Sequence, residues 1–277
     1  MVKTHLIMVP CHGIWDSKVY SSANPKPAKA GEAVNEWHLA SFQIPTKDNI
    51  SFIEHAKIAI DEFKKDKDNS VLVFSGGFTK AGVEQSESRS YFELSRALGL
   101  LDTEDEHAGV ECEEYARDSY ENVLFSLLKF RKTTGSFPTK YTIVGFEFKR
   151  HRFIEQHLKV LQFTNVNYLT YGPVFPDDYD YSGYSSVQEA QDAFFKDLEG
   201  SEDRFAVQPF NEFRFGQGGS VLKKRLSRDP YSRGLEDYFT GVTAGDGILK
   251  TLLHIGESPD SERVYESEVE NKFPWIQ

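Results

Sequence analysis

The chain has 277 residues, of which 39% are hydrophobic and 27% charged, a composition that excludes global disorder. Its 43 acidic residues against 32 Lys and Arg give a net charge of −11, which disfavours broad contact with a nucleic-acid backbone. We therefore predict no nucleic-acid partner. The two cysteines, Cys11 and Cys112, cannot make a disulfide framework and lack the closely spaced co-ligands of a zinc site, so we also predict no metal site.

The N-terminal apolar run, residues 6–9, is shorter than the roughly 7–15 residues of a signal-peptide core. No other stretch approaches the roughly 20 apolar residues that span a bilayer. We therefore expect no membrane partner and a cytoplasmic location, with nuclear entry by diffusion left open.

Short apolar runs, which predict strands, alternate with stretches of helical periodicity. In chain order they predict a strand at 5–9, a helix at 51–65, a strand at 71–74, a helix at 86–98, a strand at 110–112, a helix at 119–131, a strand at 141–144, a helix at about 150–161 and a strand at 166–169. Ser51, with Glu54 three residues later, predicts a capping box for the first helix, and Gly99 predicts the stop of the second.

Strands that alternate with helices at this spacing indicate βαβ units and a parallel sheet. Right-handed crossovers place helices on both faces of such a sheet. We therefore predict an α/β fold of three layers, with a mostly parallel sheet of about five strands. Residues 15–50 and 171–186 are expected to be irregular insertions.

The C-terminal third of the chain lacks the alternating pattern. It holds a predicted helix near 185–198 and a basic run, Lys-Lys-Arg-Leu-Ser-Arg, at 223–228. We predict an α/β domain at 1–200 and an irregular or helical C-terminal extension at 201–277 packed on it. The basic run is interpreted as a solvated segment that neutralises an acidic domain.

Candidate site residues follow the predicted strands, because open parallel α/β sheets bind ligands beyond the carboxyl ends of their strands. These residues are Pro10-Cys11-His12-Gly13 after the first strand, Ser75-Gly76-Gly77 after the second, Glu113-Glu114 after the third and residues 146–152 after the fourth. We expect the four groups to meet on one rim, and this convergence is the main functional inference.

Two of these groups are suited to an anion. Gly76 and Gly77 lack Cβ atoms, which permits positive φ and close approach to backbone amides; a tight turn is the alternative. Lys149 supplies a point charge and Arg152 a bidentate grip on phosphate or carboxylate. The alternative for the basic residues is a solvated face paired with nearby glutamates.

Carboxylate and amide side chains complete the candidate set. Glu87 follows Ser86, a potential N-cap residue. It is either an acidic residue of the first helical turn, favoured there by the helix dipole, or a carboxylate that binds a hydroxyl or acts as a general base. Glu113 is the second candidate acid or base, since two carboxylates in one crevice can have split pKa values. Asn122 is a poor helix former and either holds a neighbouring loop or contacts ligand.

Several familiar motifs are absent or unsuitable. Cys11 and His12 are adjacent, so on a strand they point to opposite faces and form a thiolate-imidazole pair only across a turn. The chain has no Gly-x-Ser-x-Gly elbow, no Gly-x-Gly-x-x-Gly and no P-loop motif. These absences disfavour α/β-hydrolase, ordinary dinucleotide and P-loop NTPase chemistry.

Over roughly residues 4–170 the order and spacing of these motifs resemble the domain-of-unknown-function family typified by bacterial SanA, YdcF and ElyC. The matching residues are Ser75-Gly76-Gly77, Ser86-Glu87, Glu113 with Asp118, Ser119, Glu121 and Asn122, and Phe148 with Arg152. Ala116 stands where the family has serine, Lys149 where it has histidine, and the first strand ends in a different turn.

The resemblance implies a Rossmann-like fold and the same site residues, in a soluble eukaryotic-type branch without a membrane anchor. It implies no general reaction, and the envelope roles of bacterial members do not transfer. Lys149 keeps the positive charge of the family's histidine but loses proton shuttling near neutral pH.

Two hypotheses follow. In the first, an enzyme binds a small anionic metabolite, such as a nucleotide or sugar phosphate, and hydrolyses it or transfers a group. Its catalytic residues are Glu87 and Glu113; its ligand-binding residues are His12, Gly13, Ser75, Gly76, Gly77, Asn122, Lys149 and Arg152. In the second, the same crevice senses a ligand without catalysis, and residues 188–277 dock a protein partner. Cofactors, the protein partner and the reaction are not specified by the sequence.

Overall fold

The computed structural model describes residues 3–25 and 27–276, and a parallel five-stranded sheet forms its centre. Its strands are β1 (His5–Pro10), β4 (Ser70–Ser75), β5 (Val110–Glu113), β6 (Lys140–Gly145) and β7 (Val166–Thr170), and β2 (Ile14–Trp15) and β3 (Trp37–His38) form a separate hairpin. The strand order in the sheet is β5-β4-β1-β6-β7. The α/β class and the parallel sheet predicted from the sequence are confirmed.

The strand order determines where a ligand can enter. From β1 the chain moves outward through β4 to β5, and then returns to the other side of β1 to add β6 and β7. The direction of winding therefore reverses between β1 and β6, which are direct neighbours. In doubly wound sheets the crevice for a ligand opens at this reversal, beyond the carboxyl ends of the strands.

Helices surround the sheet and fill the C-terminal segment. They are α1 (Ser17–Ser22), α2 (Asp48–Lys65), α3 (Glu87–Ala97), α4 (Glu104–His107), α5 (Ser119–Thr134), a π-helix (Arg152–Leu158), α6 (Val187–Glu202), a π-helix (Asp203–Val207), α7 (Gln208–Glu212), α8 (Gly219–Ser227), α9 (Leu235–Thr243), α10 (Gly247–His254), α11 (Ser261–Val264) and a π-helix (Tyr265–Val269). Short 3₁₀ turns lie at Val34–Glu36, Ser41–Gln43, Glu147–Lys149 and Ile255–Glu257. No helix in the described part of the chain combines the length and apolarity needed to cross a membrane.

Alternate residues of the central strands point to opposite faces and create two cores. On one face, Ile7 and Val9 pack against α2 and α3. On the other face, Leu6 and Met8 share a core with α5 and with apolar residues of α9, α10 and the C-terminal tail. Trp275 closes this second core and donates its indole N–H to the carbonyl of Leu161 at 2.7 Å. The C-terminal segment is thus packed on the same face as α5.

Most predicted elements occur within one or two residues of their expected bounds, and the exceptions have local causes. Ser86 caps α3 by accepting a hydrogen bond from the Arg89 N–H, and Gly99 adopts φ of +69° after its end, as predicted. The capping box at Ser51 was wrong: α2 begins at Asp48, and Ser51 lies buried inside the helix. A 3₁₀ turn and a hydrogen-bonded turn before Asp48 already direct the chain into helix, so no cap at Ser51 is needed.

Candidate functional site

His12 and Lys149 meet at the reversal point of the sheet. His12 follows β1 and Lys149 follows β6, and the Lys149 ammonium Nζ lies 3.3 Å from His12 Nε2. The His12 ring stacks near the ring of Phe146 at 6.0 Å and lies 5.8 Å from that of Phe52. The Lys149 ammonium lies 4.9 Å from the centre of the Phe146 ring. Strand order therefore joins two residues that are 137 positions apart.

Burial determines the protonation of this pair. It lowers the pKa of His12 well below the usual range, and the charge of Lys149 lowers it further. Burial, then the charge of Arg152, lowers the pKa of Lys149 to about 8. At neutral pH the Lys149 ammonium therefore donates to a neutral His12 imidazole. Cys11 is not part of this chemistry, because its thiol points to the Val9 carbonyl and burial raises its pKa.

Ser75, Glu113 and Asn122 form a closed hydrogen-bond network under the rim. The Ser75 hydroxyl donates to Glu113 Oε2 at 2.6 Å and accepts from Asn122 Nδ2 at 2.9 Å. The other Glu113 oxygen accepts the backbone N–H groups of Tyr115 and Ala116 at 2.6 and 3.1 Å. Asn122 also donates to the Ser75 carbonyl and so holds the neighbouring loop. This is the structural one of the two roles that the sequence left open for Asn122.

Glu113 is fully buried, and both of its oxygens are bound by the protein. Burial raises its pKa to about 7, opposed by the hydrogen bonds from Ser75 and the two amides. This geometry supports a structural role in bracing β4, β5 and α5 and offers no open face for substrate, so nothing in it favours the predicted acid or base role.

Gly76 and Gly77 connect β4 to the start of α3. The Gly76 N–H donates to the Glu113 carbonyl and the Gly77 N–H to the Ala116 carbonyl, so neither amide is free for an anion. Neither glycine has a positive φ. A Cβ on Gly76 would lie 2.8 Å from a Glu87 oxygen, and one on Gly77 3.0 Å from the Ala116 carbonyl oxygen. The glycines are required here for close packing, and the predicted amide nest is not formed.

Glu87 opens α3 beside the end of β1. Only 9% of the surface of Glu87 is exposed, and its Oε1 accepts a hydrogen bond from the Thr79 hydroxyl at 2.6 Å. Burial raises the pKa of Glu87, while the charges of Arg228 and Lys80 oppose that rise. Glu87 is therefore a buried carboxylate bound by Thr79, and its hydroxyl-binding role stays a prediction.

Arg152 is held by a carboxylate of this chain. Its guanidinium binds Glu202, at the end of α6, through Nε at 2.6 Å and Nη2 at 3.2 Å, and both side chains are about nine-tenths buried. Its Nη1 donates to the Ser119 hydroxyl, which is hydrogen-bonded to His157. Arg150 pairs with Glu147 on the solvated surface. Arg152 makes the predicted bidentate contact with a carboxylate, but that carboxylate is the side chain of Glu202.

Gly13 lies between the site and the β2–β3 hairpin. A Cβ on this residue would meet the side chain of Leu39 at 3.2 Å and that of Phe52 at 3.4 Å. The carbonyl of His12 accepts a hydrogen bond from Gln43. The insertion between β1 and α2 thus fixes the backbone of the turn that carries His12. No pattern in the sequence of the insertion predicts this contact.

The C-terminal segment 224–233 contacts the loops that follow β4 and β5 at the carboxyl edge of the sheet. Tyr231 donates to the Val83 carbonyl, Arg233 to the Glu114 carbonyl at 2.8 Å, and Arg228 to the Arg117 carbonyl at 3.2 Å. The basic run was the only sequence signal for this contact, and it was interpreted as a solvated segment. Arg225 within that run is buried in an ion pair with Asp118, the N-cap of α5.

The amino-acid sequence is 28% identical, over 309 aligned residues, to the uncharacterised protein YOR238W of Saccharomyces cerevisiae. The alignment covers 99% of this chain and 97% of the yeast protein. No family model matches the chain, and no solved structure matches it. The two proteins are therefore similar along nearly their whole length, including the C-terminal segment.

Two surface cavities lie away from this pair. One of about 530 Å³ is lined by residues 245–248 and neighbouring residues of the C-terminal tail, and another of about 410 Å³ by Arg117, Arg233 and Glu257 among others. Neither includes the residues that follow β1, β4 or β6. No cluster of three or more His, Cys, Asp or Glu residues suited to a metal ion occurs in the described part of the chain.

Proposed function

We propose that this protein binds a small anionic metabolite, such as a nucleotide or a sugar phosphate, in the crevice between the ends of β1 and β6. The observation that carries the proposal is the Lys149 ammonium next to a neutral His12 at the reversal point of the sheet. A cation in a partly buried aromatic setting attracts an anion more strongly than one in water. The resemblance to the SanA, YdcF and ElyC family is consistent with a ligand at this edge and remains part of the proposal.

Replacing Lys149 by Met is expected to weaken binding of a phosphorylated ligand by about 10- to 100-fold, since a hydrogen bond to a charged group contributes about 1.5–3 kcal/mol. The measurement is isothermal titration calorimetry with inorganic phosphate, AMP and glucose 6-phosphate. Lys159→Met is the matched control, because Lys159 is exposed at the end of the neighbouring helix. Equal affinities in the two variants would contradict the proposed site.

Ligand binding should also weaken as the pH rises past about 8. The anion needs the charged ammonium of Lys149, whose pKa is lowered to about 8 by burial and by Arg152. The other charged groups that act on it are Glu202, Asp48 and Arg228. A titration series from pH 6.5 to 9.5 with sulfate, whose charge is constant in this range, separates this effect from ionisation of the ligand. A flat profile would contradict a charged Lys149 as the anion contact.

The same geometry admits a catalytic and a sensing version of the proposal. In the catalytic version, the bound anion draws Lys149 away from His12, and the freed Nε2 of the neutral imidazole accepts a proton from an attacking hydroxyl or water, with Glu87 binding a ligand hydroxyl. In the sensing version, the ligand is bound without turnover, a version favoured by the complete satisfaction of Glu113 within the protein. His12→Asn distinguishes them: loss of turnover with retained binding supports catalysis, whereas absence of turnover in the unmodified protein supports sensing.

A further inference from the structure

Helix α6 (Val187–Glu202) is held on the α/β body by little apolar packing. Its buried apolar residues are Ala190 and Phe194, and neither belongs to the two cores on the sheet. The Phe194 ring contacts the rings of Phe175 and Tyr179, which lie in the segment just before the helix. Because apolar burial is the main favourable contribution to packing, the attachment of α6 depends on its polar contacts.

The polar contact at the end of α6 is the ion pair of Glu202 with Arg152. The Glu202 oxygens accept from Nε at 2.6 Å and from Nη2 at 3.2 Å, and the two side chains are 8% and 11% exposed. Helix α6 also packs against the 3₁₀ turn Glu147–Lys149. The backbone between Lys149 and Arg152 is helical, and side chains three positions apart on a helix are neighbours. Glu202 therefore places a carboxylate beside the turn that carries Lys149.

The guanidinium of Arg152 is oriented by a contact that does not involve Glu202. Its Nη1 donates to the Ser119 hydroxyl at 2.7 Å, and this hydroxyl lies 2.8 Å from His157 Nε2. The edge formed by Nε and Nη2 can bind a carboxylate or a phosphate through two parallel hydrogen bonds. When Glu202 leaves, this edge is therefore already oriented for the oxyanion of a ligand.

We infer that Glu202 is an internal competitor for the ligand: it occupies the position on Arg152 that a phosphate oxyanion takes when α6 moves away. This inference rests on the proposed function and adds regulation of the same site. One π-helix begins at Arg152 and another directly after Glu202. Such turns are rare and are frequently found at functional sites, which agrees with a movable contact here.

The cost of an unpaired buried charge keeps α6 in place until a ligand binds. Release of Glu202 without a replacement leaves Arg152 buried and uncompensated, which is strongly unfavourable. A phosphate oxyanion exchanges one anion for another, so Arg152 stays paired and this cost is avoided. The apparent affinity for the ligand is then lower than the intrinsic affinity, because Glu202 is bound in most of the free molecules.

Hydrogen–deuterium exchange of the full unmodified chain at pH 7.5 tests the release of α6. With saturating inorganic phosphate, peptides of α6 are expected to exchange about 5-fold faster, because the helix loses its polar attachment. Peptides of α10 are the internal control and should not change, and sodium chloride at matched ionic strength is the control for salt. A helix that only braces the scaffold would exchange at the same rate or more slowly when the ligand binds.

Calorimetric titration with inorganic phosphate tests the competition itself. Glu202→Gln is expected to bind phosphate about 10-fold more tightly than the unmodified protein. Glu199→Gln is the matched control, because Glu199 is an exposed residue of the same helix, and its affinity should stay within about twofold. The double replacement of Arg152 and Glu202 by Met should abolish the gain, since the guanidinium is then absent. Thermal unfolding of each variant confirms that it is folded.

The outcomes separate this inference from the proposed function. Equal phosphate affinity of Glu202→Gln and the unmodified protein, or α6 exchange that phosphate does not accelerate, would overturn competition by Glu202 and leave the Lys149 site standing. A gain in affinity that persists in the double Met variant would overturn Arg152 as the contact. No phosphate binding by either the unmodified protein or Glu202→Gln would overturn both this inference and the proposed function.

Discussion

Replacing Glu202 by Gln should lower the free energy of unfolding by about 3–5 kcal/mol, because it removes one member of a buried ion pair and leaves the other uncompensated. Arg152 would keep its bond to Ser119 but lose the Glu202 carboxylate, which binds its Nε at 2.6 Å. Both side chains are about nine-tenths buried, so water replaces the lost partner poorly. Urea unfolding monitored by circular dichroism measures the change.

Two further variants distinguish the effect of breaking the ion pair from the effect of removing a negative charge from α6. Glu199→Gln removes an exposed carboxylate from the same helix and should change stability by less than about 0.5 kcal/mol. The double replacement of Arg152 and Glu202 by Met should recover most of the loss, because it removes both buried charges. A Glu202→Gln protein as stable as the unmodified one would show that Arg152 is adequately solvated without its partner.

The same variant tests whether Arg152 belongs to the ligand site. If a bound anion can reach the guanidinium, phosphate should stabilise Glu202→Gln more than the unmodified protein, because it replaces the missing carboxylate. The melting temperature with and without 20 mM phosphate measures this difference, and sodium chloride at matched ionic strength is the control. Equal stabilisation of both proteins would assign Arg152 to the scaffold and leave Lys149 as the anion contact.

Local sequence signals were sufficient for the elements of the fold. The apolar runs at β1 and β4 predicted buried strands, and Ser86 and Gly99 predicted the two ends of α3. These features depend on residues within a few positions of one another. The predicted capping box at Ser51 was wrong for a related reason. The turn before Asp48 starts α2 three residues earlier, and no capping motif in the local sequence indicates that turn.

The composition of the site could be predicted only in part, because it depends on which strands are neighbours. The sequence correctly assigned His12 and Lys149 to strand ends, but only the order β5-β4-β1-β6-β7 places them together at the reversal point. Glu202 and Arg228 reach the edge from helices far along the chain, with no spacing pattern to connect them to it. Long-range pairing of this kind is a property of packing and is not encoded in local periodicity.

Glu113 should make the stability of the protein depend on pH between about 4.5 and 7. Burial raises its pKa in the folded protein to about 7, from 4.5 as the ordinary value. The folded state therefore binds more protons than the unfolded state in this interval, and the free energy of unfolding falls as the pH rises. The stabilisation is complete below pH 4.5 and is lost as the pH passes 7.

A pKa difference of this size corresponds to about 3 kcal/mol, or about 1.4 kcal/mol per pH unit across the window. Glu113→Gln removes the titrating group while its carbonyl can still accept the amides of Tyr115 and Ala116. The stability of the unmodified protein relative to this variant should therefore decline by about 3 kcal/mol from pH 4.5 to pH 8, as measured by urea unfolding. Glu155→Gln, which removes an exposed carboxylate, should show no such trend. Parallel stability curves for the unmodified protein and Glu113→Gln would mean that the pKa of Glu113 is the same in the folded and unfolded states, because the hydrogen bonds from Ser75 and the two amides offset its burial.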